Sequence, residues 1–169
     1  MWAKVGVLFT ALMVVSTAAL SAQDRAAHEK TKHEKALLQI TGQVAGGEAN
    51  LNREALYALP PAELVTSTVV TDGQHTFSGF LMRDLLEQVE SQGNFVTAVA
   101  LNDYAVDIPV SDFYHFDVIV AYSMDGKLLN RSGKGPLWIV YPRDDHEELQ
   151  DIRYDYRWVW QLYQLDVLP

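Results

Sequence analysis

A flexible basic loop runs directly into a short aromatic strand in residues 131–142, RSGKGPLWIVYP. Glycine has no Cβ, so the backbone at Gly133 and Gly135 can come close to a ligand. The basic side chains offer hydrogen-bond donors, and Trp138 and Tyr141 offer flat apolar faces. This combination predicts a site for a flat, polar heterocycle.

The chain contains no cysteine, and this limits the chemistry of such a site. Without a thiolate, the protein cannot supply the soft sulfur ligand that holds some redox metals. Its 13 lysines and arginines are outnumbered by 22 aspartates and glutamates, which gives a formal net charge of -9. We therefore expect no nucleic-acid partner, because such binding depends on neutralising phosphates with basic side chains.

The first 22 residues have the pattern of a secretory signal peptide. Lys4 supplies a positive start, residues 5–15 form an apolar run, and small residues follow up to Ala22. The alternative is an uncleaved anchor helix, but the apolar run is shorter than the roughly 20 residues that a membrane span needs. Removal of residues 1–22 predicts a periplasmic protein that begins with a polar linker at residues 23–35.

The elements that must position the basic loop are predicted from periodicity and turn signals, and they give one domain over residues 36–169. Asn52 caps a short helix at residues 53–59, and leucines at helical spacing predict a second helix at residues 82–90. Seven or more strands with two short helices make the fold α+β, mostly β. The predicted strands are 36–44, 63–71, 75–80, 95–101, 104–108, 118–123, 127–129, 137–141 and 158–167.

Turns and one longer loop join these elements. Asp72-Gly73 and Asp125-Gly126 predict tight hairpin turns. Ser111-Asp112 is predicted to start a turn after Pro109. The charged residues 143–151 are expected to form a surface excursion, and their acidic side chains lack a regular metal-ligand spacing, so we expect no metal site there.

Several short motifs occur in an order and spacing that match one known family. They are Phe77-Ser78-Gly79-Phe80-Leu81, Asp84-Leu85-Leu86, Ala100-Leu101-Asn102-Asp103-Tyr104, Ile108-Pro109, Ala121, Asp125-Gly126 and Gly135-Pro136-Leu137-Trp138. With these motifs the chain resembles the pterin-binding domain of the sulfite oxidase family, in its small, exported, single-domain form. The resemblance covers most of residues 36–168.

The resemblance implies a cofactor and, at the same time, a departure from it. Full enzymes of that family hold molybdenum through a pyranopterin dithiolene and one cysteine thiolate. The cysteine lies in the strand before the aromatic-x-Gly motif, which corresponds here to residues 66–71. This chain has Ser67, Thr68, Val69 and Val70 there. We therefore expect a metal-free pterin and no molybdenum.

The resemblance also implies which residues contact the pterin. Trp138, together with Trp158 or Trp160, would stack on the pteridine ring. Asn102 and Asp103 would pair with its amide and amino edge, because a carboxylate matches two adjacent N–H groups. Arg131 and Ser132 would hydrogen-bond to the carbonyl of the pterin or to its polar side chain. The complete predicted set is Asn102, Asp103, Tyr104, Arg131, Ser132, Gly135, Pro136, Trp138, Tyr141 and Trp160.

Simpler structural roles stay open for several of these residues. Asn102-Asp103-Tyr104 can be no more than a turn between strands, and the glycines of residues 131–142 can be turn residues. Trp138 can belong to the core. Trp158 and Trp160 lie two apart and share one sheet face, so core packing is expected for at least one of them.

The function implied is that of a periplasmic, non-catalytic pterin-binding protein that regulates a membrane-bound cyclic-di-GMP signalling enzyme when loaded. One alternative is a molybdopterin-dependent oxidoreductase with a non-thiolate metal ligand. Another is an interaction module whose pocket is vestigial. No nucleophile paired with a base is recognisable in the sequence, so a hydrolase is not indicated.

Overall fold

Two five-stranded sheets and four short helices make up residues 36–169, the part of the chain that the computed structural model describes. The strands are β1 (Leu38–Gly42), β2 (Glu48–Leu51), β3 (Pro61–Ser67), β4 (Gln74–Leu81), β5 (Phe95–Ala100), β6 (Ala105–Pro109), β7 (Ile119–Met124), β8 (Lys127–Leu128), β9 (Trp138–Val140) and β10 (Leu162–Leu168). The helices are α1 (Arg53–Tyr57), α2 (Met82–Gln88), α3 (Val110–His115) and α4 (Ile152–Asp155), and 3-10 turns occupy Ala45–Gly47 and Glu147–Gln150.

The first sheet has the order β2-β1-β10-β5-β6. Its pairs are antiparallel except for β1 and β10, which run parallel from Gln39 opposite Gln164 to Gly42 opposite Val167. Strand β10 therefore lies at the centre of this sheet although it comes last among the described elements.

The second sheet has the order β3-β4-β7-β8, and β9 also pairs with β7. Strand β9 lies antiparallel to the first half of β7, where Val140 faces Ile119, and β8 pairs with the last two residues of β7. A single antiparallel bridge joins Trp138 on β9 to Trp160, just before β10. The two sheets are thus linked at the tryptophans that the sequence singled out.

One apolar cluster joins both sheets and helix α2. Helix α2 buries one face because Met82, Leu85 and Leu86 recur at helical spacing. At the centre of the second sheet Phe77 meets the Trp138 ring edge to face, with centroids 5.3 Å apart. Such aromatic pairs contribute about 0.5–1.5 kcal/mol beyond the area that they bury.

The α+β, mostly β fold predicted from the sequence is confirmed, and helices α1 and α2 begin at the predicted residues. Asn52 caps α1 as expected, since its side chain accepts a hydrogen bond from the Ala55 amide at 2.9 Å. Strand β2 was missed. The last strand begins at residue 162 rather than 158, because Gln161 has a positive φ of 53° that interrupts the extended chain.

Two predicted loops contain helices. The turn expected at Ser111-Asp112 is helix α3, which starts directly after Pro109, with Asp112 in its first turn, where a negative charge favours the helix. The excursion at residues 143–151 ends in a 3-10 turn, and α4 follows it, capped by the Asp151 side chain. Both helices are shorter than two turns and leave little periodicity in the sequence.

The predicted signal peptide at residues 1–22 and the polar linker at residues 23–35 lie outside the described residues. Within residues 36–169, no helix has the length and apolar character needed to cross a membrane.

Gly79 is predicted to be irreplaceable for packing. The register between β4 and β7 shifts at this residue, and a Cβ on Gly79 would lie 2.1 Å from the Val120 carbonyl oxygen. We expect Gly79→Ala to lower the free energy of unfolding by about 1–3 kcal/mol, the usual cost of overpacking. Urea unfolding monitored by tryptophan fluorescence measures this change.

Gly133→Ala is the matched control for Gly79→Ala. The nearest atom to a Cβ at Gly133 is the Asn130 side-chain oxygen at 3.4 Å, so this substitution is expected to change stability by less than about 0.5 kcal/mol. Equal unfolding midpoints for both variants would contradict the packing role of Gly79.

Candidate functional site

A cavity of about 230 Å³ lies where three separate segments meet. One segment is the loop after β3, the second is the turn between β5 and β6, and the third is residues 155–160, between α4 and β10. The lining residues are Val69, Val70, Ala100, Asn102, Tyr104, Asp155, Tyr156, Trp158 and Trp160. Aromatic and aliphatic walls with a few polar groups are typical of a site for a small organic ligand.

The loop after β3 supplies the aliphatic wall of the cavity. The hydroxyls of Thr68 and Thr71 are hydrogen-bonded at 2.7 Å, and the Val70 amide donates to the Thr68 hydroxyl at 3.1 Å. These local bonds fold the loop into a turn. The turn leaves Val69 and Val70 38% and 37% exposed instead of drawing them into the core.

The turn between β5 and β6 supplies a polar wall. Asp103 has a positive φ of 65°, a conformation that Asp tolerates, and the Tyr104 amide donates to the Asn102 side chain at 3.2 Å. The Tyr104 hydroxyl donates to the Tyr156 carbonyl at 2.7 Å and so ties this turn to the third segment. Asn102-Asp103-Tyr104 is therefore a turn, and two of its three residues also line the cavity.

The third segment is held in place by Arg157. Its guanidinium is hydrogen-bonded to the carboxylate of Asp112 on α3, and it lies over the rings of Tyr154 and Tyr156, 4.6 and 5.5 Å from their centroids. Asp112 also accepts a hydrogen bond from the hydroxyl of Tyr141 at 2.9 Å. One buried carboxylate therefore fixes both the end of β9 and the cavity wall.

The structure corrects the roles predicted for Trp138 and Tyr141. Both side chains are fully buried, so neither presents a ring face to a ligand. The Lys134 ammonium lies 5.1 Å from the ring of Trp138 and 4.7 Å from that of Trp160, and it is held by cation–π attraction to both. Of the stacking tryptophans that the sequence offered, the structure brings Trp158 and Trp160 to the cavity.

The backbone of the basic glycine loop is hydrogen-bonded within the loop and to Gln161. The amides of Gly133 and Gly135 both donate to the Asn130 carbonyl, at 3.1 and 2.8 Å. The side chain of Gln161 donates to two further carbonyls of this loop, at 3.0 and 2.8 Å. A Cβ on Gly135 would lie 2.4 Å from the Leu129 carbonyl carbon, so chain packing explains this glycine.

Three of the ten predicted site residues thus meet at the cavity: Asn102, Tyr104 and Trp160. The other seven lie elsewhere: Asp103, Arg131, Ser132, Gly135, Pro136, Trp138 and Tyr141. Asp103 is exposed at the tip of its turn, and the Ser132 hydroxyl donates to the Asn130 side chain. Most of the predicted residues belong to the segment 131–142, and no residue of that segment lines the cavity.

Sequence reasoning missed Asp155, and it considered Trp158 only for stacking on the ring or for core packing, although both carry a buried polar atom that is unpartnered within residues 36–169, as do Ser91, Trp138, Arg143 and Arg157. Asp155 Oδ1 and Trp158 Nε1 are buried, and neither has a hydrogen-bond partner among the described residues. Unpartnered buried polar atoms are rare in native proteins and need an explanation. The signal in the sequence was the run YDYRWVW at residues 154–160, where charges alternate with aromatic side chains.

Comparison with known families gives the class of the protein. Residues 28–144 match the family of oxidoreductase molybdopterin-binding domains. The chain therefore belongs to this family, and the resemblance seen in its motifs is confirmed. No curated protein matches the sequence. The matched residues stop before the cavity wall at residues 155–160.

The donor set of the cavity fits a pterin but does not fit the thiolate-ligated metal of the family. Val69 and Val70 stand in the segment that corresponds to the metal-ligating cysteine. The hydroxyls nearby are occupied: that of Ser67 donates to Asp144 at 2.6 Å, and that of Thr66 accepts from the Asp144 amide at 3.2 Å. Within residues 36–169, no three His, Cys, Asp or Glu side chains are grouped to hold a metal ion.

The alkaline stability of the protein is predicted to depend on Tyr141. Its burial, and then the charge and hydrogen bond of Asp112, raise the pKa of its hydroxyl well above 10.0. Above pH 10 the folded state therefore retains a proton that the unfolded state loses, and stability falls as the pH rises. Tyr141→Phe removes this proton, so its stability should decline less steeply between about pH 10 and pH 11.

Urea unfolding at a series of pH values compares Tyr141→Phe with the wild type. At neutral pH the variant should be about 1.5–3 kcal/mol less stable, because it lacks a hydrogen bond to a charged group. Tyr114→Phe, at a tyrosine that is 51% exposed, is expected to stay within about 0.5 kcal/mol of the wild type. An unchanged alkaline slope in Tyr141→Phe would rule out its role.

Proposed function

We propose that this protein is a periplasmic, non-catalytic binding protein for a metal-free pterin. The observation that carries the proposal is the cavity, which Val69 and Val70 help to line. The resemblance to the family implies a metal-ligating cysteine in the segment that holds these two valines. The aromatic side chains of the cavity can pack against a pterin ring, but the chain has no cysteine whose thiolate could bind the metal of the family's cofactor. Export is supported by the signal-peptide pattern of residues 1–22.

The size and charge of the cavity favour a small, unphosphorylated ligand. A volume of about 230 Å³ lies below the roughly 300–1,000 Å³ of sites for drug-sized molecules. A bicyclic heterocycle suits this volume better than molybdopterin with its third ring and phosphate. No lysine or arginine from residues 36–169 lines the cavity, so a phosphate would lack a cationic partner.

The same donor set supports the proposed non-catalytic role. The polar side chains at the cavity are an amide, two phenols, two indoles and a carboxylate, from Asn102, Tyr104, Tyr156, Trp158, Trp160 and Asp155. Such groups recognise and orient a heterocycle by hydrogen bonding. We propose that they bind the pterin without transforming it.

We further propose that the pterin-loaded protein regulates a membrane-bound cyclic-di-GMP enzyme through that enzyme's periplasmic domain. Apolar side chains surround the cavity mouth, and Tyr104 and Tyr156 are 42% and 47% exposed there. A partner that covers this mouth would contact the ligand and the protein together. The acidic surface of the chain suits a basic partner, because complementary charge steers association.

The ligand is tested on the full-length gene product expressed in a pterin-producing bacterium and purified from the periplasm. Denaturation should release a fluorescent pterin at close to one equivalent, identified by mass spectrometry. Metal analysis of the same sample should find less than about a tenth of an equivalent of molybdenum, because no thiolate holds the metal.

Two other outcomes of this measurement would overturn the proposal. Molybdenum and a dithiolene pterin in equal amounts would favour the molybdopterin-dependent oxidoreductase with a non-thiolate ligand, which the family membership supports. A protein with neither pterin nor metal, and without affinity for added pterins, would favour an interaction module with a vestigial pocket.

The regulatory role is tested by comparing loaded and stripped protein in binding to the periplasmic domain of a cyclic-di-GMP enzyme from the same host. Loaded protein should bind at least about tenfold more tightly, a coupling of ordinary size between two ligands. Tyr156→Ser should weaken this binding, and Leu128→Ser, at an exposed leucine on β8, is the matched control. Equal affinity of loaded and stripped protein would contradict regulation by the ligand.

A further inference from the structure

We propose that Asp155 and Trp158 recognise the 2-amino-4-oxo edge of the ligand. The carboxylate of Asp155 accepts hydrogen bonds from the 2-amino group and the neighbouring ring N–H, and the indole N–H of Trp158 donates to the 4-oxo group. This inference rests on the proposed function, and it narrows the ligand to pteridines that carry this edge.

Two unpartnered polar atoms in one cavity wall carry the inference. Asp155 Oδ1 and Trp158 Nε1 are both buried, and both lack a hydrogen-bond partner within residues 36–169. Both residues line the cavity, and the Trp158 side chain is 2% exposed. A buried donor or acceptor without a partner is costly, so a ligand that supplies both partners would be bound selectively.

The wall that carries these two groups is rigid. Asp155 ends helix α4, and Trp158 follows three residues later. Between them Arg157 is hydrogen-bonded to the buried Asp112 and lies over the neighbouring tyrosine rings. The guanidinium Nη1 is thereby bonded to Asp112, Nε has no hydrogen-bond partner within residues 36–169, and no cation from these residues forms an ion pair with Asp155. The carboxylate is left for the ligand.

The chemistry of the two groups selects the edge. A carboxylate only accepts hydrogen bonds and an indole N–H only donates, so the ligand must offer N–H donors to one and an acceptor to the other. The 2-amino-4-oxo edge offers two adjacent N–H groups and then a carbonyl. Paired N–H groups against a carboxylate make the stronger, charge-assisted kind of hydrogen bond.

Asp155 takes the part that the sequence had assigned to Asp103. Asp103 is exposed, lies in a turn with a positive φ, and is not among the cavity-lining residues. The two aspartates are therefore a matched pair for substitution. Asparagine tolerates a positive φ as well as aspartate does, so Asp103→Asn leaves the turn intact.

The test measures the affinity of the stripped, full mature chain for pterin and for lumazine by calorimetry. Lumazine has an oxygen where pterin has the 2-amino group. Wild-type protein should prefer pterin by about tenfold or more, and Asp155→Asn should lower pterin affinity by about 10–100-fold. Lumazine affinity should rise in this variant, because the asparagine amide can donate to the 2-oxo group that the carboxylate repels. Asp103→Asn should behave as the wild type does.

Trp158→Phe removes the N–H and keeps an aromatic ring, so it should weaken both ligands by a similar factor, since both carry the 4-oxo group. Circular dichroism and thermal unfolding establish that each variant is folded; Asp155→Asn decides the question alone if Trp158→Phe is not. Guanine carries the same edge on a smaller ring system. An affinity for guanine equal to that for pterin would overturn the assignment to pteridines.

Each failure has a distinct meaning. Wild-type affinity for pterin in Asp155→Asn, with the preference over lumazine unchanged, would overturn this inference and leave the proposed function standing. Failure of the wild type to bind any pterin would overturn the proposed function and this inference together.

Discussion

The buried carboxylate of Asp112 is the interaction on which the candidate site depends. It accepts hydrogen bonds from Tyr141 at the end of β9 and from Arg157 beside the cavity, so one side chain of α3 holds two distant segments. Charged groups are rarely buried unless they are paired and hydrogen-bonded. Here the hydrogen bond from Arg157 neutralises the charge of Asp112. It also fixes residues 156–161, which belong to no helix or strand.

The same arrangement gives two carboxylates different surroundings. Arg157 is bonded to Asp112, while Asp155, two residues earlier in the chain, has no cationic partner among the described residues. If stability alone mattered, such a carboxylate would be paired or replaced, because a buried charge without a partner destabilises the folded state. A preorganised binding site needs a wall that is held in place, as by Arg157 and Asp112, and polar groups that are free to bond the ligand, as Asp155 is.

The sequence predicted the fold better than the site, and the reason is the range of the interactions involved. Helix α1 was found because Asn52 caps it locally, and the hairpins were found because alternation and turn residues are local signals. Burial of Trp138 and Tyr141 could not be read in this way. It depends on Phe77 in another strand and on Asp112 in a helix that the sequence had indicated as a turn.

The predicted site was partly correct for a related reason. Asn102 and Tyr104 lie in a turn that is part of one family motif, and Trp160 is an aromatic residue beside the final strand. The cavity includes all three. Asp155 and Trp158 lie beyond residues 28–144, the part that matches the family. The two proposed recognition groups therefore lie in a segment outside the family match.

The central position of β10 has a consequence for how the protein acquires its site. The first sheet is incomplete until residues 162–168 insert between β1 and β5, the strands on either side of β10. A chain that emerges gradually from the ribosome carries an unfinished sheet until nearly its whole described length has appeared. Residues 155–160, which form one wall of the cavity, directly precede this strand, so the cavity is completed only when the last strand enters the sheet.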